Sequence, residues 1–220
     1  MTLFIYGANG AGVEVYDMVK RNRSIREKYD KIYFIDDFQD ETEHYGEKRI
    51  RFSSCAKYAG CREAEFIIAV GEPSARKLLF DKVASAGYPF ATLVDETAIV
   101  SPTAKIGEGC IVYAGSIISA NAVIRENCMI MFHSIIGHDA LVSSCCVICP
   151  QATVGGHSTV GEQSFLGLDS SMKEGVNIGN RVIVGLGSMV FRDVEDGATV
   201  IGNPARVTKG GVEHKVFSRT

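Results

Sequence analysis

The sequence has no tryptophan, which by itself decides nothing, but its other absences are informative. No stretch approaches the ~20 consecutive apolar residues that a helix needs to cross a bilayer, so no membrane insertion is expected. The opening twenty residues contain Asn9, Glu14, Asp17 and Lys20, and no basic, apolar and small-residue succession of a signal peptide can be drawn through them. A cytoplasmic location is the expectation. Positive charge is neither in excess nor gathered: 23 Lys and Arg stand against 26 Asp and Glu, and the basic residues form no stripe. That excludes the usual electrostatic footprint of a nucleic-acid surface. The seven cysteines are an odd number, which does not make a closed disulfide framework and suits a reducing compartment.

The chain then divides by rhythm. Up to about residue 95, apolar runs alternate with helical patterns. Leu3–Tyr6 reads as a strand and is followed by Gly7, Gly10 and Gly12, after which Val13, Val15, Tyr16 and Val19 recur at helical spacing. Lys31–Asp36 is a second strand, Phe66–Val70 a third and Phe90–Val94 a last. Residues 38–52 read as loop with a short strand at 49–52, and Ser53 opens a short helix ending at Gly60. A helix runs from Pro73 to Ala86. Strands separated by helices imply a small Rossmann-like α/β domain with a parallel sheet over residues 1–95.

From Val100 onward the beat is six. Every sixth residue from Val100 to Val190 is aliphatic or Met, including Ile118, Ile136, Val154 and Met172. Four positions after each aliphatic residue a small one usually stands, as in Ala104, Cys110, Ser116 and Ala122. Such a hexad is the sequence form of a parallel β-helix, in which each repeat supplies one short strand and one corner. No coil buries its own interior, so coils must stack. Three hexads per coil predict an all-β prism over residues 96–202, followed by a tail at 203–220. The same arithmetic puts Cys110, Cys128 and Cys146 in one inward column, read as small fillers rather than a metal ladder. Cys145 and Cys149 point outward by register.

Glycines after a strand and before a helix allow a phosphate to approach backbone N–H groups at the helix N-terminus. Gly7, Asn9, Gly10 and Gly12, with Asp36 and Asp37 at the end of the next strand, are therefore the candidate nucleotide contacts. Alone this is a weak dinucleotide fingerprint, whose rival reading is an NAD-dependent oxidoreductase. About 95 residues is only half of a dinucleotide fold, and a β-helix is an odd companion for hydride transfer.

Four segments together, Ile5–Gly12, Phe34–Asp37, Ile136–Asp139 and Ile201–Arg206, make the chain resemble the NeuD/PglD-like sugar O- and N-acetyltransferases. That resemblance covers nearly the whole chain. It implies a left-handed β-helix, acetyl-CoA as acyl donor, no metal, and a homotrimer with active sites between neighbouring prisms. It implies His138 as general base and Asp139 as its partner, on a nucleotide-linked amino sugar (UDP-, dTDP- or GDP-4-amino-4,6-dideoxy) in bacterial surface glycan synthesis. Leu186 and Gly187 offer low-profile backbone beside a prism edge where pantetheine fits, a groove that Gly156 and Leu168 would border by the same resemblance, and Arg206 and Lys209 after the last coil are either contacts for the phosphates of coenzyme A or a solvated tail. Two histidines common in the family are absent, Ala11 and Val147 standing in their places.

The residues agree with that role for His138, because a corner side chain faces out of the prism and an imidazole titrates in the range a base needs. Outward N–H groups near Gly155-Gly156 are candidates for the oxyanion. Asp139 plus 18 is His157, so those two should stack, and His157 is a further catalytic or orienting candidate. His133 falls on another corner, and His44 and His214 receive no role. The alternatives are O-acetylation of sialic acid or a related sugar, and a non-catalytic β-helix assembly module.

Overall fold

The computed structural model describes residues 1–58, 64–208 and 215–217. Gly60, Cys61, Lys209 and His214 lie outside the described residues. The chain forms two compact units, Met1–Gly71 with Ala75–Leu93, and Glu72–Ser74 with Val94–Thr220.

In the first unit β1 (Thr2–Tyr6), α1 (Gly10–Arg21), α2 (Arg23–Lys28), β2 (Lys31–Ile35), β3 (Thr42–His44), β4 (Glu47–Ile50), β5 (Ala64–Ile68) and α3 (Pro73–Ser85) follow in order. The sheet order is β3-β4-β2-β1-β5, with β1 parallel to both β2 and β5. β1 is buried along its whole length, as expected of a central parallel strand. Several pieces differ from the sequence reading. The stretch at 38–52, read as loop with a short strand at 49–52, holds the antiparallel hairpin β3–β4, whose second strand overlaps that reading at Arg49 and Ile50, and a 3₁₀ helix at Phe52–Lys57 replaces the predicted helix from Ser53. The hairpin turns on Tyr45 and Gly46 at φ +53° and +79°. Such a turn usually announces itself as Asn-Gly; a tyrosine in its first position hides the signal. The short helix α2 was likewise not anticipated.

The second unit is the left-handed prism. Its three faces are parallel sheets in which partners lie one coil apart: Ile117 pairs with Ile99 and Ile135, Val123 with Lys105 and Leu141, and Met129 with Ile111 and Val147. The aliphatic series fills the interior, with Val112 through Val190 buried and only Val100 and Ile106, in the first coil, partly so. The third face closes with a shorter step, from Ile183–Val184 to Thr199–Ile201, and then an antiparallel strand, Arg206–Val207. Part of the expected tail is thus paired into the sheet.

The small inward residues do more than fill space. Cys110, Cys128, Cys146 and Ser164 each donate to a carbonyl on the next coil, those of Arg125, Ser143, Gly161 and Gly179. Ser116, Ser134 and Ser158 do the same to Met131, Cys149 and Lys173. A corner carbonyl turned into an apolar core needs such a donor. Cys145 and Cys149, expected on the outside, are buried, and burial pushes the Cys149 thiol up to about 12. Cys146 and Cys149 have the spacing of a redox Cys-x-x-Cys pair, but both are free thiols and Cys146 is committed to Gly161. A nucleophilic role for Cys149 does not suit so protonated a thiol.

Candidate functional site

Most corners of the prism are two-residue turns whose second residue lies in the left-handed region. Along one edge these are Asn121 (φ +58°), Asp139 (+57°) and His157 (+54°). Asn and Asp tolerate that conformation because their short polar side chains bond locally. The stacking is fixed by backbone hydrogen bonds, Asp139 N–H to Ala120 O at 2.9 Å and His157 N–H to His138 O at 2.9 Å.

His138 and Asp139 meet directly, with Nδ1 and Oδ2 2.9 Å apart. His157 Nε2 lies 3.9 Å from the same oxygen, and the two imidazoles meet edge to face at 4.9 Å between centroids. The predicted Asp139–His157 proximity is therefore present, but the short contact belongs to His138. Asn121 Nδ2 donates to the other carboxylate oxygen at 3.1 Å. Its place follows from subtracting 18 from 139, a step the sequence reading took only upward. The His138 bond first, and the Asn121 bond second, hold the Asp139 carboxyl below the usual carboxylate range. The His138 ring lies over Gly156 of the next coil, so closely that a Cβ there would sit 2.8 Å from Nε2. The Gly156 N–H has no acceptor among the described residues. His138 and His157 stay more than half exposed. The ligating atoms of His138, Asp139 and His157 lie within 4.8 Å of one another, the one such group among the described residues. The shared carboxylate accounts for that closeness.

The residues assigned to coenzyme A are spread over two edges. Leu168 and Leu186 are exposed and stacked, linked through Gly187 N–H to Leu168 O at 2.8 Å. They sit on the corner before the face that carries Ile135 and Thr153; Gly156 sits on the corner after it. Gly156 and Leu168 therefore flank one face of the prism from its two edges, since six residues are one third of a coil. His133 occupies the Leu168 edge, its ring packed over Gly115, one coil earlier in the same column. Arg206 is exposed, and its guanidinium donates to its own chain at Ala205 O. Val147, the position that the resemblance set against a family histidine, is buried.

In the first unit Gly7 leaves β1 at φ +118°, donating to Ile35 O, and a Cβ on it would meet Ala69 O at 2.5 Å. A Cβ on Gly12 would fall 1.8 Å from Gly7 O, whereas Gly10 has open space. Asn9 precedes α1 without capping it through its side chain. The first-turn N–H groups beside Asn9 thus keep the orientation that attracts an anion. The two aspartates have internal work that the sequence did not reveal. Asp36 Oδ1 accepts from Phe38 N–H and Gln39 N–H. Asp37 takes Phe52 N–H on one oxygen and Lys82 Nζ and the Tyr6 hydroxyl on the other. Burial, then that bond to Asp37, drives the Tyr6 hydroxyl far above its ordinary range. His44, given no role, has Nε2 2.7 Å from Ala8 O. The unit's large open cleft, about 560 Å³ and lined by Tyr33, Glu43, Lys48 and Tyr58, contains none of these candidates. No helix among the described residues is long and apolar enough to cross a membrane.

Comparison with known proteins matches residues 90–200 to the GMPPB C-terminal domain family and residues 2–83 to the PglD N-terminal domain. A UDP-N-acetylbacillosamine N-acetyltransferase of Bacillus subtilis (strain 168) is 45% identical over 49 residues, which is 22% of this chain and 23% of that protein. Longer likenesses come from solved structures. The acetyltransferase domain of PglB from Neisseria gonorrhoeae FA1090, in complex with acetyl coenzyme A, is 27% identical with a TM-score of 0.87, over 94% of this chain and 98% of that one. PerB from Caulobacter crescentus, in complex with CoA and GDP-perosamine, is 27% identical with a TM-score of 0.83, over 94% and 97%.

Proposed function

Given that the chain belongs to the NeuD/PglD-like sugar acetyltransferases, its coil being of the GMPPB C-terminal domain family, we propose that it carries an acetyl group from acetyl-CoA to an amino group on a nucleotide-linked sugar. The observation that carries the reading is the exposed His138–Asp139 pair at 2.9 Å on a corner of the prism. A carboxylate at Nδ1 fixes the proton there and leaves Nε2 as the acceptor. The sugar amine attacks the thioester carbonyl; the C–N bond forms, the C–S bond breaks, and the proton lost by nitrogen passes to His138 Nε2 and from there to the departing thiolate, so that CoA leaves as thiol and the imidazole is neutral again. The unpaired Gly156 N–H lies beside the ring and is the donor we assign to the developing oxyanion. No enzyme-bound acyl intermediate is required.

The first unit holds the nucleotide, its phosphates at the α1 N-terminus beside Gly7, Asn9 and Gly10, with Gly12 keeping the turn tight. Asp36 and Asp37 shape the neighbouring loop, and Asp36 keeps an oxygen for ribose or base. Leu168, Leu186, Gly187 and Arg206 line the coenzyme path on the far edge of the face from Gly156. A path that uses both edges calls for apposed prisms, and the homotrimer supplies them. The substrate class is a UDP-, dTDP- or GDP-linked 4-amino-4,6-dideoxy sugar used in bacterial surface glycans, and the enzyme works in the cytoplasm, where acetyl-CoA is made.

Incubation with acetyl-CoA and each of these nucleotide amino sugars should release thiol with one of them. Release only with hydroxyl acceptors such as sialic acid would make the enzyme an O-acetyltransferase, and no release with any acceptor would leave an assembly module. The rate should also fall as pH drops through the imidazole range. Asp139, held low by His138 and Asn121, stays charged across that fall and adds no ionisation of its own, so the acidic limb of kcat/KM belongs to the base and to the substrate amine, which must be unprotonated to attack. A kcat/KM that stayed flat down into the carboxylate range would contradict an imidazole base.

A further inference from the structure

The Asp139 carboxylate faces two imidazoles and has one short bond to give. Its Oδ2 is 2.9 Å from His138 Nδ1 and 3.9 Å from His157 Nε2. These two histidines are the titratable groups against it among the described residues, and all three side chains are exposed, so packing does not choose between them. The remaining contact comes from the opposite side. Asn121, one coil earlier, places Nδ2 3.1 Å from Oδ1, while its own backbone N–H is held by Thr103 Oγ1 at 3.0 Å, one coil earlier still. Thr103, Asn121, Asp139 and His157 thus make one polar line up the edge of the prism.

We infer that Asn121 is a positioning residue for acyl transfer: its amide anchors Oδ1 of Asp139 and so commits Oδ2 to His138 instead of His157. The inference rests on the reading of His138 as base. The amide acts by setting the roll of the carboxylate, which in turn selects the imidazole whose Nδ1 keeps its proton. An exposed hydrogen bond of this kind adds little to stability, so its effect belongs to orientation.

A competing account needs no function: Asn stands at 121 because φ is +58° there. The two accounts give opposite results for Asn121→Gly, since glycine is at least as content in that conformation. A conformational role leaves N121G as active as the parent. A positioning role lowers kcat about tenfold, the scale of one hydrogen bond, with KM for acetyl-CoA unchanged. Asn121→Asp keeps shape and conformation but sets a second carboxylate against Asp139 and near His138. Two negative charges favour the imidazolium, so the acidic limb of kcat/KM should move to higher pH by about half a unit or more. The His138 ring-proton titration, followed by NMR in the full-length protein and assigned by its disappearance in H138A, should move the same way.

Parent-like turnover in N121G with an unmoved limb and titration in N121D would overturn the inference, even where H138A is inactive. An active H138A would instead remove the base assignment, and the titration in N121D would still report whether Asn121 reaches the pair.

Discussion

Replacing His138 by alanine is expected to lower kcat for acetyl transfer by about 10²- to 10⁴-fold, the range lost with a general base. KM for acetyl-CoA should stay near the parent value, because the imidazole is given no part in holding the coenzyme. Folding should be unaffected: the ring is half exposed and touches mainly Gly156, Asp139 and His157. Steady-state kinetics with circular dichroism as the folding control decide the point. His157→Ala, measured beside it, carries the discriminating power. Its Nε2 is a full ångström farther from the shared oxygen, so the expected loss is several-fold. Loss of turnover in H157A alone would transfer the role of base to the other ring.

The second large effect concerns the glycine turn, where one substitution should have opposite signs two residues apart. Gly12→Ala would drive a Cβ to 1.8 Å from Gly7 O and 2.8 Å from Gly7 C, backbone atoms of a turn already held by Ile35 and closed in by Ala69. Neither side can give without moving the helix off the sheet. A loss of about 3 kcal/mol or more is expected, with nucleotide binding lost alongside. Gly10→Ala meets nothing within 4 Å at the first helical residue and should be neutral or stabilising by up to about 1 kcal/mol. Chemical denaturation of both variants tests this directly. A G12A protein as stable as the parent would mean that the turn is looser than its contacts imply.

Legibility in the sequence followed the strength of the constraint. An interior three strands wide admits aliphatic side chains at one position in six, so the prism could be read from Val100 to Val190 without structural help. The pairing of Asp139 with His157 was legible for the same reason, since a strict coil turns sequence distance into spatial distance. What periodicity does not encode is direction of bonding. It could not say that Oδ2 of Asp139 would favour His138, that Asp37 would be taken up by Lys82, Tyr6 and Phe52, or that the cysteine column would donate to carbonyls. The first strand and the turn of the hairpin at 42–50 were missed because Tyr45 adopts a conformation its residue type seldom signals. The buried outward cysteines were missed because register tells which way a side chain points, not what covers it.

The corner columns behave as a ruler engraved on the chain. Because the edge residues at 121, 139 and 157 sit one full turn apart, a single-residue gain or loss between any two would carry the later one off the shared edge and break the line of contacts around Asp139. Length variation is therefore tolerable only in whole windings or beyond the last working mark. The shortened step from Ile183 to Thr199 lies beyond it, after every residue of the His138 cluster has been placed. Natural variation in this lineage should accordingly be poor in indels between residues 121 and 157.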